Sequence, residues 1–217
     1  MNEFNKYFSS IAQNLNEPVD ETGSLIKITP IIPFTKFMSQ SNSNSLFLEY
    51  CSANEISDII KGFDNSKSSD IPIKIIKRSA PIINNVLSSC INKCMKSGFF
   101  PNHLELGKIT PIFKKGDAEL FENYRPISTL PIFSKIFERI IYDRLYSFFS
   151  SQNLLNQQQF GFRKKHSTSH ALNFSVNHIE NAFLTKKEHV LAIFIDLSKA
   201  FDTIDHGILL KKLHNYG

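Results

Sequence analysis

With 217 residues, 41% hydrophobic content and 20 phenylalanines, the chain carries enough apolar material to bury a sizeable core, which excludes an intrinsically disordered segment. No secretory leader opens it and no apolar run reaches bilayer length, so the reading is a soluble, intracellular protein without a membrane partner. The net charge of +5 is uneven: residues 1–60 hold seven acidic and three basic side chains, residues 61–217 thirteen acidic and twenty-two basic, an excess that a phosphate-rich partner attracts.

Taken in chain order, Phe4, Tyr7, Phe8, Ile11 and Leu15 recur at helical spacing and predict a helix ending before Pro18. The Pro-, Gly- and Ser-containing stretch to Ser45 reads as a connector, so residues 1–45 form an N-terminal helix and flexible linker. A short extended piece, Leu46 to Tyr50, leads into Ser52-Ala53-Asn54-Glu55, a capping-box pattern opening a helix with Ile56, Ile59, Ile60 and Phe63 on one side. Pro81 suits a first helical position, and Ile82, Val86, Leu87, Cys90, Ile91, Cys94 and Met95 then run to a cap at Gly98. The odd number of cysteines, Cys51, Cys90 and Cys94, argues for reduced core thiols rather than disulfides or a metal site.

Two strands follow, Lys108 to Phe113 and Tyr124 to Thr129, joined through Lys114-Lys115-Gly116-Asp117, a polar turn with paired ammonium groups. That tetrapeptide alone fits a solvated hairpin. If the strands pair, Arg125 comes near Lys114 and Lys115, and the three can grip a polyphosphate. A helix from about Pro131 to Phe149 and another from about Ser169 to Phe183 flank Gln159-Phe160-Gly161-Phe162-Arg163-Lys164-Lys165-His166. There cations, glycine and aromatic rings alternate as nucleic-acid binding requires, although Phe160 and Phe162 would equally serve to anchor the loop to the core. His166 and His170 have no third ligand nearby and read as surface or capping residues.

The apolar run Val190 to Ile195 has the pattern of a strand buried on both faces, delivering Asp196 at its carboxyl end as a hard-oxygen ligand for a Mg2+-like ion. Phe201 is placed either to wall off the sugar of a bound nucleotide or to pack in the core. Asp202 and Asp205 read as structural, with Asp205 capping a helix from His206 to His214. The fold class is therefore α+β and helix-rich, with a sheet beginning near the end.

In order and spacing, Lys108 to Asp117, Asn123 to Ser128, Lys135 to Arg139, Gln159 to Arg163 and Phe194 to Asp202 resemble the reverse transcriptases of non-LTR (LINE-type) retrotransposons. The resemblance is firm from about Gly98 and looser from Ser45 to Ser97, where the family often has a Gly-containing stretch and this chain reads Lys67-Ser68-Ser69-Asp70-Ile71-Pro72. It implies an incomplete right-hand polymerase: residues 46–187 a helical region and fingers, residues 188–217 the start of the palm. It implies Asp196 as the first metal-binding carboxylate with the Leu197 carbonyl as a further ligand, Lys114, Lys115 and Arg125 on the incoming dNTP, and Phe201 excluding ribonucleotides. Gln159, Gly161, Phe162, Arg163 and Lys164 would lie along an RNA template paired to a DNA primer. The implied chemistry uses two Mg2+ ions, and the resemblance allows a nuclear location. No Tyr-x-Asp-Asp turn follows within the 217 residues, so this polypeptide alone is expected to be inactive, the alternative being a non-catalytic nucleic-acid-binding relic of a retrotransposon.

Overall fold

Helix α1 (Ala53–Gly62) begins where Ser52, in an extended conformation, accepts the Glu55 amide at 3.2 Å. The reciprocal half of a capping box does not form. Glu55 instead receives both guanidinium arms of Arg144, at 2.7 and 2.8 Å, and a bidentate charged partner outcompetes a single backbone amide. The computed structural model describes residues 3–4, 6–8, 33–38, 43–186, 189–197, 200–201 and 204–217. Glu3, Phe4, Lys6, Tyr7 and Phe8 are helical as expected, while Ile11, Leu15 and Pro18 lie outside the described residues.

Helix α2 (Ile73–Ser97) passes through Pro81, which corrects the expectation that proline opens it. An interior proline costs about 3 kcal/mol. Here the turns before it carry Ile73, Ile76 and Ala80 into the core, and that burial keeps the helix continuous through the proline. The buried line is Ile73, Ile76, Ala80, Asn84 and Ile91; of the stripe read in the sequence, Ile91 is buried and Leu87 and Met95 pack against the core. Ile82, Val86 and Cys90 consequently lie on an exposed face, so the core-thiol reading holds for Cys51 and is corrected for Cys90. Gly98 ends the helix in the left-handed region, φ 65°, with its amide and that of Phe99 returning to the Cys94 carbonyl.

After the single turn α3 (Asn102–Glu105), β1 (Lys108–Phe113) and β2 (Tyr124–Thr129) pair antiparallel, from Lys108 opposite Thr129 to Phe113 opposite Tyr124. Helix α4 (Ile132–Ser151) then buries Ile132, Ser134, Ile136 and Ile140. It has no local capping side chain at Leu130-Pro131. Its first free amide, on Ile132, donates 2.8 Å to Asp70, and Lys135 Nζ donates 2.7 Å to the Ser68 carbonyl, so residues 68–70 are pinned to the start of α4. Ile56 and Ile60 of α1, Ile73, Ile76 and Ile91 of α2, and Ile132, Ile136 and Ile140 of α4 form one cluster with Cys51. Each fully buried isoleucine contributes roughly 1.5–3 kcal/mol relative to exposure. Asn92 brackets Cys51 from α2, accepting its amide at 2.8 Å and donating to its carbonyl at 2.9 Å.

The chain divides into two units, Met1–Tyr146 with Asp202–Gly217, and Ser147–Phe201. In the first, α6 (His206–Tyr216) is capped by Asp205, which accepts the Ile208 amide at 3.0 Å as anticipated. In the second, α5 (Thr168–Asn181) starts at Ser167 and continues into a π turn, Ala182–Lys186. Val190 to Ile195 forms no strand: among the described residues only β1 and β2 pair, and Phe194 is 95% exposed. This corrects the expectation of a buried strand. A central strand exists through ladder partners on both sides, and six apolar residues without such partners gain nothing from adopting that conformation. Among the described residues the result is helix-rich α+β, with one two-stranded sheet.

Candidate functional site

Residues 114–123 join β1 to β2 and fasten themselves through their own polar groups. The Lys114 amide donates to the Asn123 carbonyl at 2.8 Å, Asn123 Nδ2 to the Asp117 carbonyl at 2.8 Å, and the Tyr124 hydroxyl to the Ala118 carbonyl at 2.9 Å. Gly116 is required twice over. Its φ is 95°, and a Cβ there would stand 2.8 Å from Asn123 Nδ2.

On this frame the structure brings Lys114, Lys115 and Arg125 to one end of the hairpin, as the sequence suggested. All three are exposed, and among the described residues none is paired with a carboxylate. Arg125 sits directly across from Ile112, so alternation places it on the face that continues toward Lys114. Further along that same face, Lys108, Thr110 and Thr129 meet Ser68, Ser69 and Asp70 around a cleft of about 350 Å³. Sequence reading missed this cleft. The signal for it was the strand alternation linking Lys108 and Thr110 to Arg125, together with a helix start at Ile132 that lacks a cap of its own.

In the second unit the Gln159–Lys165 block divides its labour. Phe160 is half-buried, with its ring centroid 5.7 Å from Phe174 and 6.1 Å from His166, and so anchors the loop. Arg163 also turns inward: its Nη1 donates to the Asn156 carbonyl at 2.8 Å and its Nε is buried. Gln159 Nε2 donates to the Gly161 carbonyl at 3.2 Å. Phe162 is the outward ring, 85% exposed and held at φ 60°, a conformation that a bulky residue adopts only under constraint. It meets Phe201, itself 73% exposed, edge-to-face at 5.9 Å. Lys164 is exposed beside it.

Asp196 and Leu197 lie exposed at the end of the unpaired Val190–Ile195 stretch. A carboxylate and a backbone carbonyl are hard oxygen donors of the kind a Mg2+-like ion selects, and two donors leave the remaining octahedral positions for water or phosphate oxygens. The donor chemistry therefore fits such an ion, while no group of three His, Cys, Asp or Glu residues gathers among the described residues. Asp202 lies outside the described residues.

The family model described as reverse transcriptase (RNA-dependent DNA polymerase) matches residues 112–217. The chain is 36% identical over 150 residues to a probable RNA-directed DNA polymerase from transposon BS of Drosophila melanogaster, covering 69% of this chain and 16% of that protein. It is 33% identical over 165 residues to the corresponding protein of transposon X-element of the same species, covering 72% and 18%. To the RNA-directed DNA polymerase from mobile element jockey of Drosophila funebris it is 36% identical over 122 residues, covering 56% and 13%. The chain thus spans less than a fifth of the length of the relatives it matches.

Proposed function

From the membership of this chain in the RNA-directed DNA polymerase family of non-LTR retrotransposons, we propose that it forms the part of such an enzyme that receives the incoming deoxynucleotide and the RNA template. Residues 46–187 act as a helical region and fingers, and residues 188–217 as the beginning of the palm. The observation that carries the reading is the hairpin end: three cations that no carboxylate among the described residues pairs, presented by a loop that its own hydrogen bonds hold in shape.

In this reading Lys114 and Lys115 act as point charges on the β- and γ-phosphates, and the planar guanidinium of Arg125 grips two phosphate oxygens at once. Neutralised and held, the triphosphate exposes its α-phosphorus to the 3′-hydroxyl of a DNA primer. The 3′-oxygen bonds to that phosphorus as the bond to the bridging oxygen breaks; pyrophosphate departs with the electron pair and the hydroxyl proton is lost to solvent. A divalent ion, when bound, supplies charge stabilisation at the attacking and leaving oxygens. The Asp196 carboxylate and the Leu197 carbonyl are this chain's donors for it. Phe201 closes the sugar side against a 2′-hydroxyl, and Phe162 with Lys164 lies along the template, where an exposed ring stacks a base and the ammonium meets a phosphate. Arg163 holds the loop that presents them.

Titrating a dNTP onto the 217-residue chain with and without Mg2+, for the wild type and Asp196→Asn, tests this. Expected is binding that Mg2+ strengthens in the wild type and leaves unchanged in the variant. Equal Mg2+ enhancement in both would remove Asp196 from the site.

A further inference from the structure

Phe4, Tyr7 and Phe8 occupy positions i, i+3 and i+4 of the N-terminal helical turn and therefore share a side. That side meets the hairpin. The Phe4 ring stands edge-to-face with Phe121 at 4.7 Å and with Tyr124 at 5.0 Å, and Tyr7 lies 5.6 Å from Phe121. Phe113 adds its ring to the group, 5.4 Å from Tyr124. Phe4 and Phe8 also close an apolar groove of about 660 Å³ along Lys108–Pro111.

The register explains why they gather there. Phe113 and Tyr124 are directly paired and alternate with Ile112 and Arg125, so the aromatic residues belong to the face opposite the cations. A two-stranded sheet is marginal by itself and needs one face covered. Here the cover comes from a segment more than a hundred residues earlier in the chain. The covered residues are also those that shape the cationic loop: Tyr124 precedes Arg125 and holds the Ala118 carbonyl, and Phe121 opens the 3-10 turn that returns the chain to β2.

We propose that the N-terminal helical turn is a positioning element for the cationic hairpin. Phe4, wedged against Phe121 and Tyr124, fixes from behind the loop that presents Lys114, Lys115 and Arg125. The inference rests on the phosphate-binding reading of that hairpin for its consequence, and on the ring contacts alone for its geometry. Phe4, Tyr7 and Phe8 touch no reacting group; they act through the loop.

The chain has no tryptophan, so F4W gives a single indole at the contact. In the full 217-residue chain that indole is expected to emit blue-shifted and to be shielded from acrylamide, and to lose both properties when F121A is added. A solvent-like emission in F4W overturns the proposal. Inorganic tripolyphosphate, titrated calorimetrically, reads the consequence. The F4A/F8A double variant is expected to bind about tenfold more weakly, the loss of roughly one aromatic contact, with F4W binding as the wild type does and the far-UV spectrum unchanged throughout. Unaltered affinity in F4A/F8A overturns the positioning role. If neutralising Lys114, Lys115 and Arg125 also leaves tripolyphosphate binding unchanged, the phosphate reading itself fails, whereas loss of binding there but not in F4A/F8A rejects the buttress alone.

Discussion

Asp70 accepts the Ile132 amide across 62 residues of chain and so serves as the N-terminal cap that α4 lacks locally. Burial pushes its carboxyl up, but the amides of Ile132 and Ile71 and the Ser69 hydroxyl outweigh that and hold it below the ordinary carboxylate range. A carboxyl depressed by folding contributes stability that is present above its unfolded value of about 3.9 and is lost as pH falls through its folded value. Asp70→Asn is therefore expected to flatten the acid limb of a stability-against-pH curve below about pH 4, its deficit against the wild type shrinking as pH falls. An unchanged acid limb would contradict the assignment. The Glu55–Arg144 pair offers a second contrast. Its side chains are largely covered, the Arg144 guanidinium is raised further above its usual range by its bond to Glu55, and the guanidinium also donates to the Glu49 carbonyl at 3.1 Å. Glu55→Ala leaves that guanidinium without its carboxylate and is expected to cost about 1–3 kcal/mol in urea unfolding. Asp58→Ala, which breaks the exposed pair with Lys61, is expected to cost less than about 0.5 kcal/mol.

At the scale of elements, legibility followed how local the determining signal is. Both strands of the hairpin have the bounds the sequence suggested, because the polar turn Lys114-Lys115-Gly116-Asp117 ends the first of them and can be read within a few residues. Ser52, Gly98 and Asp205 cap where expected for the same reason. Pro81 misled because its local meaning, a helix start, was overridden by burial of Ile73, Ile76 and Ala80 ahead of it, which is a tertiary fact. With the helix already continuous, Pro81→Ala should restore the missing backbone hydrogen bond and stabilise by about 1–2 kcal/mol after the added freedom of the unfolded chain is discounted. A higher thermal midpoint checks this, and a lower one would contradict it. Val190 to Ile195 misled for a related reason: apolar runs announce burial, but a strand is a property of its partners.

Across the whole molecule, the pairing of β1 with β2 brings Arg125 to the same end of the hairpin as Lys114 and Lys115, as their spacing suggested. The ordered motifs singled out Asp196, Phe162 and Phe201, all three exposed, but not the unpaired stretch that carries Asp196. Not legible were the contributions made across long stretches of chain. Asp70 at the start of α4, the hydroxyl-lined cleft beside Lys108, and the N-terminal rings behind Tyr124 each join segments far apart in sequence, and periodicity within one segment does not name the segment it meets. Nucleotide binding by this chain depends on the hairpin end being a triphosphate site. Calorimetric titration of a dNTP in Mg2+ onto the 217-residue chain, set beside K114A/K115A/R125A with its fold verified, tests that claim most directly. Because the three charges act together on one polyphosphate, the variant is expected to bind at least tenfold more weakly, at about 1.4 kcal/mol or more; an affinity equal to the wild type would contradict it.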